Sequence, residues 1–148
     1  MKVPIAEFKK YATWSKDCYT RNCIAENDAF ELILICWDKK QSTEIHDHGG
    51  EECWVCILEG EFKENIYKED EKGELKVVER KEMKPGDITY MIDFMGYHNL
   101  ENTSDKKSMS LHLYAKPIKK CNVYNPKKDK FVCKELTYDS VHNLIFQE

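Results

Sequence analysis

No stretch of this sequence is apolar over enough residues to cross a bilayer. The longest apolar runs, such as residues 32–37, fall far short of the roughly 20 residues that a membrane-spanning helix needs. The first residues, Met1–Pro4, lack the apolar core of a signal peptide. No basic block stands out either, since 23 lysines and arginines face 27 acidic residues, for a net charge of -4. The sequence therefore favours neither a membrane nor a nucleic acid as partner, and we expect a cytoplasmic protein.

The cysteines do not have the pattern of a disulfide framework. They number seven, an odd count, and no secretion signal accompanies them. Cys53 and Cys56 form a Cys-x-x-Cys pair, but residues three apart on a strand face opposite sides of the sheet. The pair is therefore not expected to hold a zinc ion or to form a redox disulfide, and most of the cysteines are expected to be small buried apolar residues.

Helical periodicity is limited to the N-terminus. Residues 4–14 predict a short helix, because Pro4 suits a first turn and apolar residues recur at helical spacing. Beyond residue 30 the chain reads as short strands, which turn sequences such as residues 84–87 separate. The predicted strands are 30–37, 43–48, 51–58, 61–68, 74–82, 87–92, 97–102, 108–115, 121–125 and 130–138. This spacing predicts one all-β domain over residues 1–148, with a helical segment at 1–22 and a sandwich or small barrel at about 30–138.

Two histidines lie two residues apart near the middle of the chain. On a strand, His46 and His48 point to the same face, so both can face the barrel interior while Asp47 faces away. Two adjacent imidazoles pack poorly in a core, because each leaves a ring nitrogen without a partner, and a shared metal ion supplies that partner. His98 is the third candidate ligand. Spacing alone does not choose among zinc, iron, nickel and copper, so a zinc-dependent hydrolase or isomerase stays open.

A second set of polar side chains shares one face of a later strand. Ser110, His112 and Tyr114 alternate with the apolar residues Leu111 and Leu113. A polar face of this kind is either exposed to water or lines a cavity while the apolar face packs on a second layer. In a cavity, the three side chains would form a relay that orients the Tyr114 hydroxyl.

The histidine segments resemble the two sequence motifs of the cupin barrels. Residues 46–60 resemble the first motif, and the stretch from residue 85 through His98 to Asn102 resembles the second. Cys53 stands where the first cupin motif places a carboxylate ligand, and Gly60 matches its closing glycine. The resemblance implies an all-β cupin barrel, also called a double-stranded β-helix or jelly roll, with a short N-terminal helix.

Six segments, in the same order across about residues 11–138, make the chain similar to the cysteine dioxygenase family. They are Tyr19-Thr20-Arg21-Asn22, Leu34-Ile35-Cys36-Trp37, Ile45-His46-Asp47-His48, Cys53, Gly96-Tyr97-His98 and Ser110-Leu111-His112-Leu113-Tyr114. The resemblance implies a mononuclear non-haem Fe(II) held by His46, His48 and His98. It implies L-cysteine and O2 as substrates and cysteine sulfinate as product. It also implies a thioether cross-link between Cys53 and Tyr114, as in the animal-type members.

The same resemblance implies a role for each remaining site residue. Arg21 clamps the substrate carboxylate, Tyr19 adds a hydrogen bond to it, and Trp37 is placed with this substrate-binding group as packing. Tyr114, ordered by His112 and Ser110, donates a hydrogen bond to the substrate. These last three residues and Cys53 form the catalytic set.

Two departures and two alternatives accompany this interpretation. Family members commonly have Ser-Pro-Pro after the tyrosine, where this chain has Ala115-Lys116-Pro117, so a trans bond or a strained exception is expected there. The chain also starts closer to the barrel than the animal enzymes do. A related enzyme acting on 3-mercaptopropionate is one alternative, although its family pattern has glutamine in place of Arg21. A non-catalytic metal-binding cupin is the other, and in either case we expect a monomer.

Overall fold

The computed structural model describes residues 4–142 and 144–145. A helix, α1 (Ile5–Lys9), precedes the strands, and a 3-10 helix (Asp93–Met95) lies between the sixth and seventh. The strands are β1 (Thr20–Glu26), β2 (Glu31–Trp37), β3 (Glu52–Glu59), β4 (Phe62–Glu69), β5 (Leu75–Met83), β6 (Ile88–Met91), β7 (Tyr97–Asn102), β8 (Ser108–Ala115), β9 (Lys120–Asn125), β10 (Lys130–Glu135), β11 (Ser140–Val141) and β12 (Leu144–Ile145). Within the described residues, no helix is both long and apolar enough to cross a membrane.

The strands form one large sheet and two small ones. The large sheet has seven strands in the order β12-β11-β1-β2-β8-β3-β6. A three-stranded sheet, β5-β4-β7, and the hairpin β10-β9 accompany it. Most neighbours are antiparallel, and the pairs β2–β8 and β3–β8 keep β8 in the middle of the large sheet. The mostly β architecture with one short N-terminal helix agrees with the sequence prediction.

Strand β2 is buried on both faces, which explains why its apolar run is nearly continuous. Ile33 and Ile35 face the barrel interior, together with the inward side chains of β3, β4 and β8. Leu34 and Cys36 face the other side, where apolar residues of α1 pack on them. The short helix thus covers part of the outer face of the large sheet.

The cysteine pair on β3 faces in two directions, as predicted. Cys53 belongs to the interior cluster, whereas Cys56 packs against the outer cluster that α1 covers. All seven cysteines are free thiols.

Three predictions of secondary structure are wrong within the first 48 residues. The helix ends at Lys9, because Thr13 is bonded to β1 instead: its carbonyl accepts the Thr20 hydroxyl at 2.6 Å. Residues 20–26, in part assigned to the helical segment 1–22, form β1. Residues 43–48 form no strand, since only isolated bridges at Ser42 and His46 pair this stretch.

Two further differences lie toward the C-terminal end. The strand predicted over 130–138 ends at Glu135, because the following residues turn to contact β1 through Arg21 and Asp139. The peptide bond between Ala115 and Lys116 is cis, so this position is the exception and not the trans bond that the sequence also allowed.

Gly60, between β3 and β4, is required by both its conformation and its surroundings. Its φ is +92°, and a Cβ atom there would lie 1.9 Å from the Ser108 hydroxyl oxygen. Gly73 has a similar φ of +79°, but no atom lies within 4 Å of the position of its Cβ. An alanine at Gly73 would therefore meet only the conformational strain of a positive φ, whereas an alanine at Gly60 would also overlap with Ser108.

We expect Gly60→Ala to lower the free energy of unfolding by about 2–5 kcal/mol, because left-handed strain and overpacking add. Gly73→Ala, the matched control, is expected to lose only about 1–2 kcal/mol. Urea denaturation of both variants measures the difference. Equal losses would contradict the close approach of β8 to Gly60.

Candidate metal centre

Three histidines from two separate parts of the chain converge inside the barrel. His46 and His98 are paired through their backbones, since each N–H donates to the other's carbonyl at 2.9 and 3.0 Å. His48 follows two residues later, on the same side as His46. One ring nitrogen of each histidine lies within 4.8 Å of the others. The structure thus brings together the three ligands that the sequence predicts.

Two of the rings have a defined protonation pattern. Nδ1 of His46 lies 2.6 Å from the Glu44 carbonyl, which can only accept, so Nδ1 carries the proton. Nδ1 of His98 lies 3.0 Å from the buried Glu64 carboxylate, whose other oxygen accepts the Thr89 hydroxyl at 2.9 Å. Each Nε2 is then left with a lone pair, and these two atoms are 3.1 Å apart. Such lone pairs repel unless a cation or a proton lies between them.

Burial keeps the imidazoles neutral. It lowers the pKa of His46, and it lowers the pKa of His48 and His98 well below the usual value, with neighbouring histidines adding to the effect. Neutral imidazole is the form that binds a transition metal. Three such donors on one side of an ion leave the other side open to the cavity. The cluster therefore fits a resident divalent metal ion.

The predicted relay on β8 is present as a hydrogen-bonded chain. The Trp37 indole N–H donates to the Ser110 hydroxyl oxygen at 2.9 Å, and that hydroxyl lies 2.7 Å from Nε2 of His112. Nδ1 of His112 lies 3.3 Å from the Tyr114 hydroxyl. The Ser110 oxygen accepts from the indole, so its own O–H is available to donate to Nε2 of His112. In the His112 tautomer that accepts this bond, Nδ1 donates to the Tyr114 oxygen, and the Tyr114 O–H proton is free to point into the cavity.

Cys53 and Tyr114 are direct neighbours across two strands. The register of β3 with β8 places the two residues opposite each other, and both are buried. Burial raises the pKa of the Cys53 thiol and of the Tyr114 phenol. Both groups are therefore protonated at neutral pH. Their adjacency agrees with the cross-link that the family resemblance implies, which stays a prediction.

Arg21 is a buried cation, and one of its terminal nitrogens has no partner among the described residues. Its Nη1 donates to the Thr137 carbonyl at 2.7 Å, and the Tyr138 ring lies 5.5 Å from its Cζ. Its Nη2 is buried and has no hydrogen-bond partner among the described residues. A buried guanidinium nitrogen without a partner is costly, so this geometry indicates a place for an anionic ligand.

A cavity of about 50 Å³ joins these groups. The three histidines, Tyr19, Arg21, His112 and Tyr114 all line it. Trp37 does not, because it is fully buried behind the wall and contacts the Tyr19 ring at 5.1 Å. Trp37, predicted to serve the substrate-binding group as packing, thus lies behind the lining, where its ring packs on Tyr19 and its indole N–H bonds to Ser110. Ser110 and Cys53 also lie behind the lining.

Sequence reasoning missed several residues that support the site. Glu64 could have been found, because it lies between Phe62 and Ile66 on the apolar face of β4, where a carboxylate needs a partner. Lys134 lines the cavity mouth and pairs with Glu44 at 2.8 Å. No pattern in the sequence predicts that Lys134 pairs with Glu44 or that the carbonyl of Thr137 accepts from Arg21, because these contacts join residues distant in sequence.

Comparison with solved structures identifies the fold. An uncharacterised conserved protein with a double-stranded β-helix domain from Klebsiella pneumoniae superposes with a TM-score of 0.57 at 16% identity, covering 86% of this chain and 94% of that one. A cupin superfamily protein from Desulfitobacterium hafniense gives 0.57 at 14% identity, covering 78% and 90%. These identities speak for the fold alone. The prediction of a cupin barrel with a short N-terminal helix is confirmed.

Comparison of sequences identifies related proteins within this fold. Cysteine dioxygenase type 1 of Rattus norvegicus is 31% identical over 124 residues, covering 81% of this chain and 62% of the relative. The Homo sapiens protein of the same name is 31% identical over 123 residues, covering 80% and 62%. The chain thus spans less than two thirds of the length of these relatives. A family model described as cysteine dioxygenase type I matches residues 1–127, and we conclude that this chain belongs to that family.

Proposed function

We propose that this chain is a thiol dioxygenase that oxidises L-cysteine with O2 to cysteine sulfinate. One observation carries the proposal: Arg21, whose Nη2 has no hydrogen-bond partner among the described residues, lines the same cavity as three convergent imidazoles. A carboxylate on the arginine would leave the rest of a small amino acid close to the histidine cluster. The family membership supports the same reaction class.

The donor set fits Fe(II) as the resident metal. His46, His48 and His98 would hold it through neutral ring nitrogens, and Glu64 fixes the orientation of the His98 ring through Nδ1. When bound, Fe(II) supplies open coordination positions for a thiol and O2, together with the redox chemistry that joins them. Imidazole ligands also suit other metals, so iron belongs to the proposal.

Arg21 would select and orient the substrate. A carboxylate that accepts from Nη2 forms a charge-assisted hydrogen bond, worth about 1.5–3 kcal/mol, in a site shielded from water. That energy favours a carboxylate-bearing thiol over an amine thiol such as cysteamine by about tenfold or more. The Tyr19 hydroxyl belongs to the same lining and would add a hydrogen bond to the carboxylate.

The Tyr114 O–H would donate a hydrogen bond toward the reacting sulfur. In the His112 tautomer that accepts from Ser110 at Nε2, Nδ1 donates to the Tyr114 oxygen, which would leave the Tyr114 O–H free for the substrate. Burial raises the pKa of the phenol, so the hydroxyl stays protonated throughout. Tyr114 thus acts as a hydrogen-bond donor rather than as a base.

The proposed reaction balances without a further reactant. Both atoms of O2 are added to the substrate sulfur, the thiol proton ends on the sulfinate or in solvent, and sulfur supplies all the electrons that reduce O2. No external reductant is consumed.

Oxygen uptake by the Fe(II)-loaded protein tests the proposal, with L-cysteine, cysteamine and 3-mercaptopropionate in parallel and mass spectrometry of the products. We expect uptake with L-cysteine and a product that gains two oxygen atoms. Uptake with 3-mercaptopropionate alone would assign the chain to that related activity. Bound iron without uptake with any thiol would support the non-catalytic cupin, and turnover without O2 would support a hydrolase or isomerase.

Glu64→Gln is expected to weaken metal binding by about 10–100-fold, because the amide no longer holds Nδ1 of His98 as a carboxylate does. Isothermal titration with Fe(II) under anaerobic conditions measures the loss. Glu82→Gln, an exposed residue on β5, is the control and should leave the affinity unchanged. Undiminished affinity in the Glu64 variant would contradict the orienting role.

Arg21→Gln is expected to raise the KM for L-cysteine and to reduce its advantage over cysteamine by about tenfold, because the charge-assisted bond is lost. It should also shift the preference toward 3-mercaptopropionate. Arg80→Gln, at the chain's other arginine, is exposed on β5 and serves as the matched control. An unchanged order of substrates in the Arg21 variant would refute the clamp.

Cys53→Ala is expected to remove the cross-link and leave part of the activity, because the thiol holds no metal. Intact-protein mass spectrometry detects the cross-link as a loss of two hydrogen atoms, one from sulfur and one from the tyrosine ring, with O2 as oxidant. Cys56→Ala, on the outer face of the same strand, should keep both mass loss and activity. Complete inactivity of the Cys53 variant with iron still bound would show that the thioether is essential.

A further inference from the structure

The three candidate ligands are held in place in different ways. His46 and His98 are paired through their backbones, and each has an acceptor for its Nδ1 proton. Within residues 4–142, by contrast, no hydrogen bond reaches the ring of His48, and no β-bridge includes it. The position of His48 therefore depends on whatever holds its backbone.

One carboxylate holds that backbone. Oδ1 of Asp93 accepts the His48 N–H at 2.9 Å, and Oδ2 accepts the Gly50 N–H at 2.6 Å. A carboxylate has no proton to offer at neutral pH, so it suits two converging N–H donors. Asp93 thus bridges the backbone on either side of Gly49.

The chain around His48 explains why such a bridge is needed. Gly49 and Gly50 have φ of +60° and +89°, so the chain turns sharply directly after the ligand. The Glu51 N–H closes this turn by donating to the His48 carbonyl at 3.0 Å. Asp47 braces the other side, where its carboxylate accepts the Asn122 backbone N–H at 2.9 Å. A turn outside any strand is held by these side chains instead of a ladder.

The position of Asp93 connects two ligands. Asp93 begins the 3-10 helix that leads directly into β7, and β7 carries His98. Its two hydrogen bonds therefore tie the His48 turn to the element that holds His98. The two rings that this tie connects, those of His48 and His98, lie 4.6 Å apart between centroids.

We propose that Asp93 is a positioning residue for His48 and sets the geometry of the three-histidine centre. The inference rests on the metal site of the proposed function and is independent of the reaction. Asparagine at this position keeps one acceptor but turns an N–H donor toward an N–H donor, so the turn that carries His48 loosens. Loss of such support typically weakens metal binding by about 10–100-fold.

Anaerobic titration of the apo-protein with Fe(II) tests this, together with thermal unfolding of each apo-protein. Asp93→Asn should bind Fe(II) about 10–100-fold more weakly than wild type. Asp93→Glu keeps both acceptor oxygens and should show a smaller loss. Asp70→Asn is the control, since Oδ1 of Asp70 also accepts two backbone N–H groups, at 2.8 and 2.9 Å, in the turn between β4 and β5, far from the histidines in sequence. Asparagine keeps that oxygen, so this variant should leave the Fe(II) affinity unchanged.

The outcomes separate the inference from the proposal beneath it. Wild-type Fe(II) affinity in Asp93→Asn would overturn the positioning role, as would equal losses of affinity in Asp93→Asn and Asp70→Asn. If Asp93→Asn does not fold, the Glu variant decides, and an unchanged affinity there would overturn the role. A wild-type chain that binds no Fe(II) would overturn the metal site itself, and this inference with it.

Discussion

Three imidazole rings, two from the segment that carries His46 and His48 and one from β7, converge on one point and constrain the rest of this structure. Two of their nitrogens, Nε2 of His46 and of His98, are only 3.1 Å apart. Buried lone pairs at that distance repel, so the arrangement is favourable only with a cation or a proton between them. The carbonyl of Glu44, the carboxylate of Glu64 and the carboxylate of Asp93 each hold one of the rings or its backbone. Buried polar groups of the barrel thus hold the three rings in a geometry that suits a metal ion.

The second constraint is a buried positive charge facing the same cavity. Arg21 is held from behind by Thr137, Tyr138 and Asp139, all in the segment after β10. The family match ends at residue 127, so this support comes from outside the matched part. Since Nη2 has no partner among the described residues, an anionic ligand would supply an acceptor for it. A three-histidine cluster and this guanidinium line one small cavity, which is the basis of the proposed preference for a short thiol that carries a carboxylate.

Local patterns in the sequence predict which side chains share one face of a strand, but they do not predict contacts between distant parts of the chain. The inward faces of β3 and β8, with Cys53 opposite Tyr114, follow from period two, and so does the relay from Ser110 to Tyr114. The segment that carries His46 and His48 has the same alternation without forming a strand, because hydrogen bonds to β7 and β9 replace a ladder. The roles of Trp37 and Asp93 depend on residues distant in sequence, which no local pattern contains.

The most direct test of this account is a crystal structure of the Fe(II)-loaded protein with anomalous diffraction measured at the iron edge. The account predicts one anomalous peak per chain, bound by a ring nitrogen from each of His46, His48 and His98, with its open side toward Arg21. A peak elsewhere in the chain, or no peak in protein that folds and binds L-cysteine, would contradict it.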